Sequence, residues 1–258
     1  TWWLCITRCA IFESTEPKFS RGREMDFDKL AMDGWVYIPS FVPKDKVLKI
    51  ENKIKNIFGV GGFDELSKKI IELDKCDQSL LYQYNLSINR ITEILSLAEK
   101  IDELLTLRHP KSSGVVLDHY VLLGLPADQR LAYSWHQESS YIPTVPTVYT
   151  MWTPLFTPST RENGTMSVLS GTHKLGNIGY SRLEKPHGYC DLVVDTKELI
   201  PKHPEYFCCN AIGDCILFEK DLVHRSNFNI TDKVRISLLL RIGHIDTVTK
   251  QFGWKDGY

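Results

Sequence analysis

Two histidines and one glutamate have the residue types and the spacing of a metal site. His136 and Glu138 lie two positions apart in the run Trp135–Tyr141. If this run is an extended strand, both side chains point to one face and Gln137 points to the other. The best third ligand, from a different strand, is His224. Two histidines and one carboxylate on one side of an ion, with the other positions open, are typical of non-haem iron(II) oxygenases.

An arginine follows His224 inside an apolar run. Arg235 comes eleven positions after His224, and Ser237 lies two positions further on the same strand face. A guanidinium in apolar surroundings needs a partner, and its planar fork fits a carboxylate best. Arg235 and Ser237 are therefore candidates for holding the carboxylate of a ligand, and a structural ion pair is the alternative. Arg241 lies on the same face near the strand end, where we expect it to be solvated.

Four segments in this order resemble the phytanoyl-CoA dioxygenase family, over residues 26–242. They are His136-Gln137-Glu138, the segment Glu162–His173, His224, and Arg235-x-Ser237. One departure is visible, because Glu138 stands where the family usually has aspartate. Glutamate also ligates iron in related oxygenases.

The resemblance implies a fold, a cofactor and a cosubstrate. The fold is mainly β with flanking helices, a double-stranded β-helix (jelly roll, cupin-like). His136, Glu138 and His224 are the implied ligands of Fe(II). Arg235 and Ser237 are implied to bind the distal carboxylate of 2-oxoglutarate.

The activity that the resemblance implies is hydroxylation of a C–H bond in a small-molecule substrate. The reaction consumes O2 and 2-oxoglutarate and releases succinate and CO2. In related halogenases a small residue replaces the carboxylate ligand, so Glu138 favours hydroxylation. Two alternatives stay open: a jelly-roll binding protein that is non-catalytic or holds another metal, and a cupin-type isomerase or metal hydrolase.

The order of patterns along the chain predicts helices first and strands afterwards. Apolar spacing predicts helices at residues 44–58, 64–73 and 87–107, preceded by a short helix, a turn at Asp33-Gly34 and a strand at 35–38. Short strands are expected at residues 115–123, 131–136, 145–155, 166–169, 215–218 and 234–242, typical of a sandwich or barrel. A long irregular stretch is expected between Gly171 and Pro204.

The overall composition is typical of an ordinary soluble enzyme. The 258 residues carry a net charge of −1, so no basic stripe indicates a nucleic-acid partner. The seven cysteines show no C-x-x-C spacing, which argues against a disulfide scaffold.

No apolar run is long enough for a membrane span, and we expect a cytoplasmic protein with a small-molecule substrate. We expect an N-terminal extension of unclear role at residues 1–25 and a single oxygenase domain at 26–258.

Overall fold

A computed structural model describes residues 25–88, 90–107, 109, 112–126, 134–187 and 190–246. The predicted extension thus lies outside the described residues except for Met25, and the extent of the single domain stays a prediction. The helices are α1 Phe27–Asp33, α2 Lys44–Phe58, α3 Phe63–Cys76, α4 Gln78–Ile88 and α5 Thr92–Thr106. The strands are β1 Trp35–Ile38, β2 Ser112–Gly124, β3 Thr147–Leu155, β4 Met166–Leu169, β5 Ser181–His187, β6 Cys190–Val193, β7 Glu205–Phe207, β8 Cys215–Glu219, β9 His224–Ser226 and β10 Arg235–Asp246.

The strands form two main sheets and a hairpin. The larger sheet has the order β1-β8-β3-β10-β2, the smaller one has the order β7-β4-β9, and β5 pairs with β6. All pairings between these strands are antiparallel. Neighbours in a sheet are mostly distant in sequence, so the chain crosses repeatedly between the sheets, as expected for a jelly roll.

Alternation along β10 separates two apolar cores. Ile236, Leu238 and Leu240 pack into the core between the larger sheet and the helices. Leu239 points the other way and packs with Trp152 into the core between the two sheets. Because side chains alternate across a strand, the residues at 235, 237 and 241 share the face of Leu239. The polar residues of β10 are thereby directed into the interior of the jelly roll.

Capping residues that are visible in the sequence fix the ends of the first two helices. The Asp26 carboxylate accepts a hydrogen bond of 2.8 Å from the Lys29 backbone N–H and so caps α1. Gly34 ends the helix with a φ of 80°, a left-handed conformation that glycine adopts without a steric cost. Gly59 ends α2 in the same way, with a φ of 66°. The predictions of α1, β1 and α2 are confirmed by these bounds.

Three local predictions were wrong or incomplete. The helix expected at 87–107 begins at Thr92, and a separate helix, α4, precedes it. The stretch between Gly171 and Pro204 contains the β5–β6 hairpin. The strand expected at 131–136 is partly outside the described residues, and residues 134–136 contribute only a single bridge at His136. No helix among the described residues has both the length and the apolar character needed to cross a bilayer.

Candidate active site

The two candidate histidines lie side by side at the β9 edge of the smaller sheet. His136 and His224 form an isolated antiparallel bridge. Each backbone N–H donates to the carbonyl of the other residue at 3.0 Å, and the imidazole centroids lie 4.2 Å apart. His224 is also held by β4, where it pairs with Val168. Two residues far apart in sequence are therefore fixed side by side by backbone hydrogen bonds.

The hydrogen bonds of each imidazole select one tautomer. His136 Nδ1 lies 2.7 Å from the Ser134 carbonyl oxygen, and His224 Nδ1 lies 2.9 Å from the Leu222 carbonyl oxygen. A carbonyl oxygen only accepts, so Nδ1 is the protonated nitrogen in both rings. In the neutral ring Nε2 then carries the lone pair. This is the usual arrangement of a histidine that ligates a metal through Nε2.

Glu138 shares a face with His136 because Gln137 between them is extended, with φ −123° and ψ 142°. Glu138 then begins a 3-10 helix, Glu138–Ser140, which is anchored by the Ser139 N–H donating to the Lys220 carbonyl at 3.1 Å. The predicted extended run therefore holds through Gln137 and ends at Glu138. The predicted grouping of the side chains still occurs: ligand atoms of His136, Glu138 and His224 all lie within 4.8 Å of one another, and all three residues are buried.

The chemistry of this donor set fits a divalent cation. Burial by itself would raise the pKa of Glu138, but the Arg241 guanidinium outweighs it and holds that pKa well below its usual range. The carboxylate is thus ionised although only 1% of the residue is exposed. Within the described part of the chain, neither carboxylate oxygen has a hydrogen bond of normal geometry. Anionic oxygens beside two Nε2 lone pairs are the donors that Fe(II) takes in a facial triad.

Arg235 and Ser237 lie together in the interior on β10, as the sequence predicted. Arg235 is buried, and its Nη1 donates to the Ser237 hydroxyl. The guanidinium carbon lies 5.7 Å from the centre of the Trp152 ring. Across the sheet Arg235 faces Gly124, where a side chain would meet the guanidinium. A glycine at this position gives the arginine its space.

Two further polar atoms of β3 point into the same interior. Trp152 Nε1 and Thr150 Oγ1 are buried and have no hydrogen-bond partner among the residues that the structure describes. They are two positions apart, so they share one face of β3. Buried polar groups are normally satisfied. Trp152 lies beside the buried Arg235 guanidinium, whereas Thr150 pairs with Arg241. Unsatisfied donors spread along this face fit a bound oxygen-rich molecule such as a dicarboxylate.

The prediction that Arg241 is solvated was wrong, because Arg241 is largely enclosed and belongs to the site. Its side chain is 12% exposed, and Nη2 lies 2.7 Å from Glu138 Oε2. Nη1 donates to both carboxylate oxygens of Asp118, at 3.1 and 2.8 Å, and Nη2 donates to the Tyr120 hydroxyl at 2.8 Å. Its even spacing from Arg235 was the available signal. The expected strand end at residue 242 was misleading, because β10 continues to Asp246 and Arg241 lies between β2 and β3.

Gln137, which was expected to point away from His136 and Glu138, has structural contacts. Gln137 is fully buried and fixes two loops: Nε2 donates to the Gly176 and Asp221 carbonyls at 2.8 and 2.6 Å, and Oε1 accepts from Ile178 N–H at 3.0 Å. Tyr149 packs on the helical side of the larger sheet.

Two aromatic rings lie beside the triad histidines. The Tyr141 ring meets the His136 ring edge-on at 6.2 Å, and the Phe218 ring lies 4.6 Å from the His224 ring. In the segment Glu162–His173, Asn163 caps its own loop by accepting from the Thr160 N–H at 2.8 Å.

One protein-family model matches most of the chain. The family model described as phytanoyl-CoA dioxygenase (PhyH) matches residues 30–237. The chain belongs to the phytanoyl-CoA dioxygenase family. A comparison with curated protein sequences finds no match.

Several solved structures share the fold of this family member at low sequence identity. EctD from S. alaskensis, solved with 2-oxoglutarate and 5-hydroxyectoine, is 17% identical with a TM-score of 0.58, covering 84% of this chain and 74% of that one. EvdO2 from Micromonospora carbonacea var. aurantiaca, complexed with 2-oxoglutarate, is 16% identical with a TM-score of 0.55, covering 90% and 96%. The epimerase SnoN from nogalamycin biosynthesis, in complex with Fe3+, alpha ketoglutarate and nogalamycin RO, is 17% identical with a TM-score of 0.52, covering 84% and 81%.

These findings confirm the predictions of the family, of the jelly-roll fold class and of an enzyme in the iron- and 2-oxoglutarate-dependent class. The roles of individual side chains stay predictions. The neighbours include an epimerase and a carbocyclase as well as oxygenases, so the outcome of the reaction is not fixed by the fold.

Proposed function

We propose that this protein hydroxylates a C–H bond of a small-molecule substrate, with Fe(II) held by His136, Glu138 and His224. The observation that carries the proposal is the tautomer of the two histidines, whose Nδ1 hydrogen bonds direct Nε2 toward the ionised Glu138. A buried ion pair alone has no need of two imidazoles with matched tautomers. The set is what a divalent ion takes when three positions must stay open.

Arg235 and Ser237 are proposed to bind the distal carboxylate of 2-oxoglutarate. The guanidinium offers paired N–H donors, and the Ser237 hydroxyl beside Nη1 supplies another. Trp152 Nε1 and Thr150 Oγ1 are buried donors that are suited to other oxygens of the same molecule. The interior core around Trp152 and Leu239 keeps water away from the reacting atoms.

Bound iron and 2-oxoglutarate supply the oxidation: O2 and 2-oxoglutarate are converted to succinate and CO2, and one oxygen atom enters the substrate C–H bond. The chain's own contribution is orientation. The His136–His224 backbone bridge fixes the two imidazoles, and the extended Gln137 places Glu138 on the same face as His136, so that these three residues would hold the ion together.

The test is anaerobic addition of Fe(II) and then 2-oxoglutarate to the apo protein, followed by exposure to O2. We expect a visible charge-transfer band on addition of 2-oxoglutarate, and slow succinate formation without substrate. His136→Ala should lose both the metal and the succinate. His203→Ala is the matched control, because this histidine lies outside the cluster and contacts the Ser170 carbonyl at 3.0 Å.

Retained succinate formation in His136→Ala would overturn the metal assignment. A wild-type protein that binds an ion but shows no band with 2-oxoglutarate would favour a binding protein or another metal. Product analysis with a turned-over substrate separates hydroxylation from epimerisation or ring closure, since only hydroxylation adds the mass of one oxygen atom.

A further inference from the structure

The guanidinium of Arg241 connects three elements at the edge of the metal site. Nη1 is held by the Asp118 carboxylate and Nη2 by the Tyr120 hydroxyl, both from β2. The register places Asp118 directly opposite Arg241, and a β-bulge follows Arg241. Three hydrogen bonds on two nitrogens leave the planar fork little freedom to turn. Arg241 therefore presents Nη2 to Glu138 in one fixed orientation.

The contacts of Glu138 distinguish its two carboxylate oxygens. Oε2 lies 2.7 Å from Arg241 Nη2, whereas Oε1 lies 3.5 Å from His224 Nε2. One oxygen thus faces Arg241 and the other faces His224. A carboxylate held in this way offers a single oxygen to an ion between His136 and His224.

The contact with Arg241 matters because a glutamate side chain is longer than an aspartate side chain. The family usually has aspartate at this position, and glutamate adds one methylene and one rotatable bond. An unrestrained glutamate can swing away or bind an ion through both oxygens, and the second mode occupies a position that 2-oxoglutarate or O2 needs. Burial increases the effect, because an ionised carboxylate that is 1% exposed requires a compensating charge.

We propose that Arg241 is a positioning residue of the metal centre, which holds Oε2 of Glu138 so that only Oε1 faces the ion. Asp118 and Tyr120 fix the guanidinium for this purpose. In this way the arrangement makes glutamate a working substitute for aspartate. The inference rests on the proposed function, since it assumes that the triad binds a divalent ion.

The test is metal affinity and coordination, measured without turnover. Co(II) is titrated anaerobically into the wild-type protein and the variants, and its visible absorption reports both the dissociation constant and the coordination number. Arg241→Gln should weaken Co(II) binding by about 10- to 100-fold, the usual effect of losing an outer partner of a metal ligand, and should change the Co(II) spectrum. Arg241→Lys should recover part of the affinity, because it restores the charge without the fork.

A second background isolates the role of glutamate length. Glu138→Asp shortens the side chain, so its outer oxygen no longer reaches Arg241. Adding Arg241→Gln to Glu138→Asp should therefore weaken Co(II) binding much less than it does in the wild-type background. Arg161→Gln is the matched control for loss of an arginine, because Arg161 packs over the Phe207 ring, outside the cluster.

Each outcome bears on one proposal. A wild-type protein that binds neither Co(II) nor Fe(II) refutes the proposed function itself. Wild-type binding together with unchanged affinity and spectrum in Arg241→Gln refutes the role of Arg241 and leaves the proposed function intact. If Arg241→Gln fails to fold by circular dichroism, Asp118→Asn decides, since it keeps Arg241 but loosens its fork. We expect a several-fold loss of affinity in Asp118→Asn, and an unchanged affinity there overturns the inference.

Discussion

Gly124 gives Arg235 its position, so Gly124→Ala should disturb 2-oxoglutarate binding without touching the metal. Gly124 pairs directly with Arg235 across β2 and β10. An added methyl carbon would lie 3.0 Å from Arg235 Nη2, 3.1 Å from Nε and 3.3 Å from Cζ. Alanine suits the backbone there, because Gly124 is not among the glycines with positive φ. The substitution therefore acts through the side-chain contact alone.

The size of the effect follows from these distances. Favourable contacts between heavy atoms begin at about 3.5 Å, so the guanidinium must retreat by roughly 0.5 Å. The proposed hydrogen bonds to the distal carboxylate then lengthen or bend. Losing one hydrogen bond to a charged group costs about 1.5–3 kcal/mol. We expect the dissociation constant of 2-oxoglutarate to rise by about 10- to 150-fold.

The assay is titration of 2-oxoglutarate into the anaerobic Fe(II) protein, followed by its charge-transfer band. Gly62→Ala is the control, since its added methyl carbon would meet nothing within 4 Å. The Fe(II) affinity of Gly124→Ala should stay within about twofold of wild type, because the three metal ligands lie on other elements. An unchanged 2-oxoglutarate dissociation constant in a folded Gly124→Ala protein would refute the placement of the cosubstrate at Arg235.

Two further predictions concern the loops around the site. Gln137→Glu places carboxylate oxygens where two N–H donors now contact the Gly176 and Asp221 carbonyls. We expect the free energy of unfolding to fall by about 2–4 kcal/mol. An unchanged thermal midpoint would contradict this. Gly164→Ala should destabilise more than Gly176→Ala in urea unfolding. Both glycines have positive φ, but only at Gly164 would the methyl carbon meet backbone, 2.6 Å from the Asn227 carbonyl oxygen. Equal losses in the two variants would show that backbone strain alone sets the cost.

The sequence determined the features that depend on neighbours along the chain. Apolar spacing predicted α2 to the residue, from Lys44 to Phe58, because helix periodicity and the flanking proline and glycine are local signals. Strand alternation placed Arg235 and Ser237 on one face of β10. The order of the motifs, compared with a known family, predicted the family to which the chain belongs. The local features needed only residue types and their spacing.

The tertiary structure decided how distant segments meet. The chain turns into a 3-10 helix directly at Glu138, where the Ser139 N–H donates to the Lys220 carbonyl, and no periodicity in this segment indicates that turn. Arg241 was expected near a strand end, but β10 continues to Asp246, so Arg241 lies within the sheet between β2 and β3. Its guanidinium there contacts Asp118 and Tyr120. Strand length and register are set by long-range pairing and by bulges. The environment of a charged side chain on a strand is therefore fixed by its partners in space, and the sequence around it leaves that environment open.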